Sequence, residues 1–362
     1  MQLQVSLPTN KQQTLLKVAE DYFRERVAPT AEKIDREPKA LKEALKRMGD
    51  RCLLALRVPR KWGGAEFSEL DYRRFQMSIA RYSGALAFLQ SQHQSAGWFI
   101  VNSDNKSLQQ EYLSHMGKGE ILVGIGFSQL RRHGEPMMKA TPVTGGYLLE
   151  GEVPWIAGYG FFDDFIVGAT LPDGQELYGI VPLHGSENKI HISRLMELAV
   201  IGSTNTVSAK FNSWFLGCDR VLSIKPPRSI DLYSQKNVLH HGFFALGCAR
   251  AALDIIEDAY YKKELIFIKD SYNRLDRAAI ECSQTMFDAI CSQKYSFTEK
   301  LRLRVESISL AGRCSQAAIV ASGGSAASIY HPAQRVYREA LLYHVSAQTT
   351  AIMKQTLAAL SF

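Results

Sequence analysis

The chain has 362 residues, with 43 lysines and arginines against 36 aspartates and glutamates, and a formal net charge of +7 at pH 7. Its 46% hydrophobic and 22% charged residues are typical of a folded globular protein and exclude a disordered chain. This length predicts two or three packed domains. Because no apolar run approaches about 20 residues, we expect no membrane-spanning helix.

The termini and the cysteines indicate a cellular compartment. Residues 1–10 contain no long apolar stretch, so they do not resemble a secretory signal. Six cysteines are scattered without a Cys-x-x-Cys pair, which suits a reducing environment. We therefore predict a cytoplasmic protein. The nine histidines have no metal-binding spacing, so no metal is expected.

The N-terminal third has helical periodicity. Apolar residues recur at three- and four-residue spacing over residues 15–23 and 41–56, and the helical pattern resumes after residue 72. Between these segments, the run from Val58 to Gly64 interrupts the pattern, because proline lacks an amide donor and two glycines permit a turn. We predict an all-α domain over residues 1–118.

Residues 119–224 have the pattern of a β domain. Short β-type runs are predicted at Ile121–Phe127, Tyr147–Trp155, Phe165–Leu171 and Leu177–Leu183. Thr144-Gly145-Gly146 and Pro172-Asp173-Gly174 are typical of hairpin turns. About a hundred residues of this kind predict a small β-barrel, with a sandwich as the alternative.

Helical periodicity returns after Lys225-Pro226-Pro227 and continues to the end of the chain. The predicted helices are Leu239–Tyr261, Ser271–Ser292, Phe297–Ser322 and Pro332–Leu360. Their short connections predict a C-terminal four-helix bundle over residues 225–362. The fold class is therefore α+β, with an all-α domain, a β-barrel and a four-helix bundle in that order.

Two motifs and this domain order resemble the acyl-CoA dehydrogenase superfamily. The loop from Pro59 to Gly64 is similar to the family's Pro-x-x-Tyr-Gly-Gly, with Trp62 at the aromatic position. Tyr337-Arg338-Glu339-Ala340 is similar to its Tyr/Met-Arg-Asp-Ala segment. The resemblance spans nearly the whole chain. It implies a flavin-dependent oxidoreductase that transfers hydride from an acyl-CoA, or a related small molecule, to the flavin. It also implies assembly as a homodimer or homotetramer.

The chain departs from this family at the catalytic base. The family's glutamate lies about seven residues after the Arg-Asp-Ala segment, where this chain has Ala347. Alanine cannot accept a proton. A second family position, about ten residues before a glycine of the first bundle helix, corresponds to Asn237. We therefore leave the catalytic residues unassigned, with His344, His93 and Tyr343 as candidates.

The resemblance also implies a flavin site between the β domain and the C-terminal helices. The implied contacts are Phe127, Ser128, Trp155, Ala157, Gly323, Gly324 and Thr349. Ser128 keeps a hydroxyl for the flavin edge, whereas Ala157 lacks the hydroxyl of the usual threonine. Packing between domains is the alternative explanation for Trp155. FAD is the implied cofactor, and FMN or a reduced flavin supplied by a partner protein is the alternative.

One loop changes the shape of the implied site. The family's Gly-Ala-Gly-Ser-Asp turn is replaced by Arg131-Arg132-His133-Gly134-Glu135. These basic side chains can receive an anionic group such as a phosphate, although solvation is the more common state of loop arginines.

Two other functions remain open. The first is a flavin monooxygenase on the same fold, which uses reduced flavin and oxygen and needs no glutamate; His344, His93 or Tyr343 would then serve as polar catalytic groups. The second is a non-catalytic binding module, associated with nucleic acid. The positive charge is spread along the chain, which disfavours a nucleic-acid interface.

Overall fold

The computed structural model describes residues 10–361 apart from residue 187. The N-terminal helices are α1 (Asn10–Tyr22), α2 (Ala31–Arg36), α3 (Pro38–Gly49), α4 (Glu69–Tyr82), α5 (Gly84–Val101) and α6 (Lys106–Met116). Serine caps fix where two of them begin: Ser68 accepts a hydrogen bond from the Asp71 amide and Ser83 accepts one from the Leu86 amide. The helical prediction for this part of the chain is confirmed.

The predicted loop after α3 is a compact turn. Gly63 has φ +77°, and a Cβ on Gly64 would lie 2.0 Å from the Val58 carbonyl oxygen, so both positions require glycine. The turn lets the Phe67 amide donate to the Leu56 carbonyl at 2.7 Å. Residues 53–58 are thereby held against α5, where Gln94 bonds both Leu53 and Leu56.

The middle part is one sheet of eight strands. These are β1 (Val123–Gly126), β2 (Met138–Val143), β3 (Gly146–Ile156), β4 (Asp164–Thr170), β5 (Glu176–Pro182), β6 (Ile190–Ile192), β7 (Val207–Gly217) and β8 (Val221–Lys225). The strand order is β6-β7-β3-β2-β4-β5-β8, and β1 pairs in parallel with β4. The four predicted strands and both hairpins are confirmed, whereas β2, β6, β7 and β8 were not predicted.

The predicted order of helical domain, β domain and C-terminal helices is confirmed, but the sheet is not a closed barrel. Within the described residues the terminal strands of the sheet, β6 and β8, do not pair with each other. Closure needs every strand to continue the hydrogen-bonded register around the barrel. The three-residue strand β6 pairs with β7 on one side and leaves the sheet open on the other.

The C-terminal part is helical. Its helices are α7 (Ser229–Lys236), α8 (His240–Lys263), α9 (Ile266–Cys291), α10 (Phe297–Ser322), α11 (Pro332–Val345) and α12 (Thr350–Leu360). The first three predicted bundle helices are confirmed as α8, α9 and α10. The predicted fourth helix is two helices, because residues 346–349 leave the helical path and Ala347 has φ +50°.

The N-terminal helices pack directly on the bundle. A Cβ on Gly247 of α8 would lie 2.3 Å from the Met77 carbonyl oxygen of α4, so the absence of a side chain permits this close crossing. One large hydrophobic core runs from the N-terminal helices through the sheet to the bundle. None of the described helices combines the length and apolarity needed to cross a membrane.

A buried ionic seam joins α2 to α11. Its members are Glu32 and Asp35 on α2, and Arg335, Arg338 and Glu339 on α11. Glu339 is fully buried; its Oε1 accepts hydrogen bonds at 2.8 Å from both the Arg335 guanidinium and the Gly84 amide. The acid of the Tyr-Arg-Glu-Ala segment therefore fixes α11 against α2 and α5.

Candidate active site

A cavity of about 600 Å³ lies where the N-terminal helices, the sheet and the bundle meet. Its walls come from α4 and α5, from the ends of β1 and β3, from α7 and α8, and from the break between α11 and α12. This volume is in the usual range for a site that encloses a small molecule or the reactive part of a cofactor.

Four of the residues that the resemblance implied for flavin line one wall. Phe127 and Ser128 follow β1, and Trp155 and Ala157 lie at the end of β3. The Phe127 ring packs 4.9 Å from that of Phe99, which fixes its position, while half of Trp155 is exposed. This wall therefore presents the Ser128 hydroxyl and the aromatic ring of Trp155 to the cavity.

Another part of the wall contains a buried cation close to Ala347, the position of the family's catalytic glutamate. Arg304 of α10 is 1% exposed, and its Nη2 donates to the Ser346 carbonyl oxygen at 3.2 Å. Within the described residues its Nε and Nη1 have no hydrogen-bond partner. Burial lowers the pKa of Arg304 to about 9. Ser346 also bonds His241 Nδ1 at 3.0 Å, and Ala347 lines the cavity beside it.

A third wall carries a cluster of charged side chains from distant parts of the chain. The Glu69 carboxylate receives Arg73 Nε at 2.7 Å, His240 Nε2 at 2.9 Å and Arg57 Nη2 at 3.2 Å. Arg57, Arg73 and His240 line the cavity. We call Arg57, Glu69, Arg73 and His240 the cationic wall.

The ionisation states within the cationic wall follow from this geometry. Burial would raise the pKa of Glu69, but Arg73, His240 and Arg57 lower it far below its usual range, so Glu69 is a carboxylate. Burial and the adjacent Arg73 lower the pKa of His240 to about 3. His240 is therefore neutral at neutral pH and donates its Nε2–H to Glu69.

The remaining implied flavin contacts lie outside the cavity wall. Gly323 and Gly324 follow α10. A Cβ on Gly324 would meet nothing within 4 Å, so a ligand can approach the backbone of this turn closely. Thr349 caps α12, with its hydroxyl accepting from the Ile352 amide at 3.3 Å.

None of the three candidate catalytic side chains lines the cavity. His93 is fully buried; its Nδ1 accepts from the Val123 amide at 3.0 Å and its Nε2 bonds the Met116 carbonyl oxygen at 3.1 Å. His344 bonds the Ala340 carbonyl oxygen through Nδ1 at 2.9 Å. Tyr343 lies behind Phe244, and its buried hydroxyl has no partner among the described residues.

The cavity wall offers no carboxylate in place of the missing glutamate. Among the described residues that line it, none is aspartate or glutamate, and Ala347 and Asn237 occupy the two positions discussed above. Glu339 lies in the α2–α11 seam. The described residues also contain no group of three or more histidine, cysteine, aspartate or glutamate side chains that could hold a metal ion.

Sequence reasoning missed the cationic wall and Arg304. A signal was present for two of these residues: Arg57 interrupts an otherwise apolar run from Leu53 to Val58, and Arg304 falls on the buried face of α10. Charged residues are rarely buried without a partner, so a charge at an apolar position indicates a site.

Comparisons with known proteins agree with this architecture. The family model "Acyl-CoA dehydrogenase, N-terminal domain" matches residues 9–120. An acyl-CoA dehydrogenase of Bacillus subtilis (strain 168) is 26% identical over 176 residues, which are 48% of this chain and 46% of that protein, so the match spans about half of the relative. The mitochondrial isovaleryl-CoA dehydrogenase of Pongo abelii is 23% identical, with coverage of 96% of this chain and 87% of that one.

Solved structures extend the likeness to the whole fold. An acyl-CoA dehydrogenase complexed with FAD from Bacillus anthracis superposes with a TM-score of 0.81 at 17% identity, over 98% of this chain and 67% of that one. The order of helices, sheet and bundle is therefore shared along almost the full sequence. Residues 9–120 are therefore similar to the N-terminal domain of acyl-CoA dehydrogenases, and the chain as a whole has the acyl-CoA dehydrogenase fold.

Proposed function

We propose that the protein is a flavin-dependent oxidoreductase that binds FAD and acts on an acyl-CoA or a related small molecule. The observation that carries this proposal is the cavity wall formed by Phe127, Ser128, Trp155 and Ala157, which are the residues that the resemblance implied for the flavin ring. The names of the relatives, acyl-CoA and isovaleryl-CoA dehydrogenases, and the FAD complex support it.

The residues present fit a flavin. The Ser128 hydroxyl can donate to its pyrimidine edge and Trp155 can cover its face, while the open turn at Gly323 and Gly324 leaves room for the dinucleotide part. The buried Arg304, two of whose nitrogens have no hydrogen-bond partner among the described residues, provides positive charge at the cavity wall. FAD would supply the centre that accepts or donates hydride.

The protein's own residues bind and orient the substrate and exclude water. Apolar side chains of the bundle and sheet, including Phe244 and Leu342, enclose the cavity, which strengthens every electrostatic interaction inside it. At residue 347 the chain can neither accept nor donate a proton, because alanine has no titratable group. Proton transfer at the substrate carbon must therefore use a group other than the usual glutamate.

The test is an anaerobic reduction of the FAD-loaded protein with a panel of acyl-CoA thioesters of different chain lengths. We expect the visible flavin bands to bleach with at least one thioester. Flavin that stays bound but never bleaches would contradict dehydrogenation, and failure to bind FAD would remove the proposal as a whole.

A second candidate is a monooxygenase that uses reduced flavin and oxygen. The observation that favours it is the absence of any carboxylate among the described residues lining the cavity, since this chemistry does not need the glutamate. Oxygen consumption by the reduced, substrate-loaded protein, together with formation of an oxygenated product, would support it. Hydrogen peroxide as the only product would contradict it.

We also propose that the chain forms a homodimer or homotetramer through its bundle. Two large apolar side chains are exposed near the place where Lys263 of α8 bonds the Ala321 carbonyl oxygen of α10: Phe267, at the start of α9, is 65% exposed, and Val320 is 75% exposed. Clusters of this kind typically mark a protein interface. Light scattering should give a mass of two or four chains, and Val320→Asp should lower it. A wild-type monomer would contradict the proposal.

A further inference from the structure

We propose that the cationic wall binds a carboxylate group of the substrate, with Arg57 as its primary contact. The inference rests on the proposed function in one respect only, namely that the carboxylate belongs to the molecule on which the enzyme acts. It assigns a specificity-determining site at the end of the cavity bounded by α4 and α5.

Arg57 is held in a fixed position. Its guanidinium lies 4.0 Å from the Trp98 ring centroid and 5.2 Å from that of Tyr72, and its backbone segment is tied to α5 through Gln94. Stacking on aromatic rings fixes the plane of a guanidinium without using its donors. Little entropy is therefore lost when Arg57 binds an anion.

The charges of the cationic wall do not balance. Arg57 and Arg73 carry two positive charges, Glu69 carries one negative charge, and His240 is neutral, so one positive charge remains. Arg73 is 2% exposed and bonds both Glu69 and Gln76. Arg57 is 15% exposed, and its one hydrogen bond within the described residues is the 3.2 Å contact with Glu69. The excess charge and the free donors both belong to Arg57.

The surroundings of Arg57 favour a carboxylate over a hydrocarbon chain. Ser91, Ser95 and Trp98 recur on one face of α5, and the two serines line the cavity. A hydrocarbon chain would desolvate Arg57 without replacing its water hydrogen bonds, which is unfavourable. A single carboxylate matches the single excess charge and the planar donor array of a guanidinium. A phosphate would bring a second negative charge that this wall does not balance.

The experiment compares a free dicarboxylate with its neutral analogue. Sodium glutarate and glutaramide are titrated calorimetrically into the FAD-loaded protein and into the flavin-free protein. We expect the wild type to bind glutarate about ten-fold or more tightly than glutaramide. Arg57→Met should bind glutarate about ten- to a hundred-fold more weakly than the wild type, whereas its affinity for glutaramide should be unchanged. Arg57→Lys, which keeps the positive charge, should retain part of the preference for glutarate.

Two control variants locate the site. Lys61→Met removes an exposed positive charge four residues from Arg57, outside the cavity wall, and should bind glutarate like the wild type. Arg47→Met removes an exposed arginine that pairs with Glu43 outside the cavity wall, and should leave the preference for glutarate in place. Thermal unfolding of each variant confirms that it is folded before titration.

Three outcomes would overturn the proposal. These are equal affinity of the wild type for glutarate and glutaramide, an unchanged preference in Arg57→Met, and an equal loss of preference in Arg47→Met. Failure of the proposed function is distinguishable from all three. If FAD does not bind while glutarate binding depends on Arg57 in the flavin-free protein, the carboxylate site stands and the flavoenzyme does not.

Discussion

The α2–α11 seam and the cavity both bury charged side chains, but they differ in charge balance. The seam brings three carboxylates, Glu32, Asp35 and Glu339, to two guanidiniums, Arg335 and Arg338. The cavity is surrounded by four guanidiniums and one carboxylate, from Arg57, Arg73, Arg131, Arg304 and Glu69. Every guanidinium of the seam has a carboxylate partner in the chain. At the cavity, Arg131 and Arg304 have no carboxylate partner among the described residues, so the cavity favours an anionic ligand.

This difference separates structural from functional charges. Removing a partner from a buried pair is costly because it leaves an uncompensated charge in a medium of low polarity. At the seam, each carboxylate already faces a guanidinium. At the cavity, Arg304 has no carboxylate partner within the described residues, so substrate or cofactor must provide the counter-charge.

Breaking the seam should have the largest effect on stability. Glu339→Ala removes the acceptor of Arg335 and of the Gly84 amide, and we expect the free energy of unfolding to fall by about 3 to 5 kcal/mol. Urea unfolding measures it. Glu43→Ala, which breaks the exposed pair with Arg47, should leave the unfolding midpoint unchanged. Equal effects of the two substitutions would mean that the seam is not a stabilising ionic structure.

Acid should destabilise the protein through its buried histidines. Burial lowers the pKa of His93 from 6.5 to about 4, so between these pH values the unfolded chain binds the proton that the folded chain excludes. The stabilising contribution of neutral His93 to the free energy of unfolding is complete above pH 6.5. It decreases as the pH falls from 6.5 to 4, by about 3 kcal/mol in total. Urea unfolding of His93→Gln should show a weaker pH dependence over this window. An unchanged dependence would contradict this assignment.

Arg304→Met tests whether the cavity charge is uncompensated. Replacing a buried cation that lacks a carboxylate partner by an apolar side chain of similar length should raise the free energy of unfolding of the ligand-free protein by about 1 to 2 kcal/mol. Arg302→Met, on the exposed face of the same helix, is the matched control and should have no effect. Destabilisation by Arg304→Met alone would show that Arg304 is already neutralised within the protein.

Ala347→Glu should give the cavity a carboxylate counter-charge for Arg304. The new carboxylate would lie beside Ser346, whose carbonyl oxygen already receives Arg304. We expect the free energy of unfolding to rise by about 1 kcal/mol relative to Ala347→Gln, which has the same shape without the charge. Identical unfolding curves of the two variants would mean that residue 347 and Arg304 do not interact.

The helices of the bundle could be predicted because their apolar periodicity is strong. Phe297–Ser322 has the same bounds in the prediction and in α10. The break at Ala347 could not be predicted, since neither glycine nor proline marks this positive φ. The strand β7 was missed although its first residues alternate between buried and exposed, because polar residues in its second half weaken that pattern.

The candidate site was only partly accessible to sequence reasoning. The resemblance pointed to Ser128 and Trp155, and both line the cavity, where their contact with flavin stays a prediction. The cationic wall could not be predicted, since Arg57, Glu69 and His240 lie in a loop and on two helices that only tertiary packing brings together. For His93 the sequence shows a histidine in a polar stretch, and only the structure shows that both ring nitrogens bond the backbone.

The most direct test of this account is the visible absorbance spectrum of the purified protein after incubation with FAD and removal of unbound flavin. We expect flavin bands that remain with the protein at one flavin per chain. These bands should change when Trp155→Ala removes the aromatic face of the cavity. A protein that retains no flavin would contradict the claim that this cavity is a flavin site.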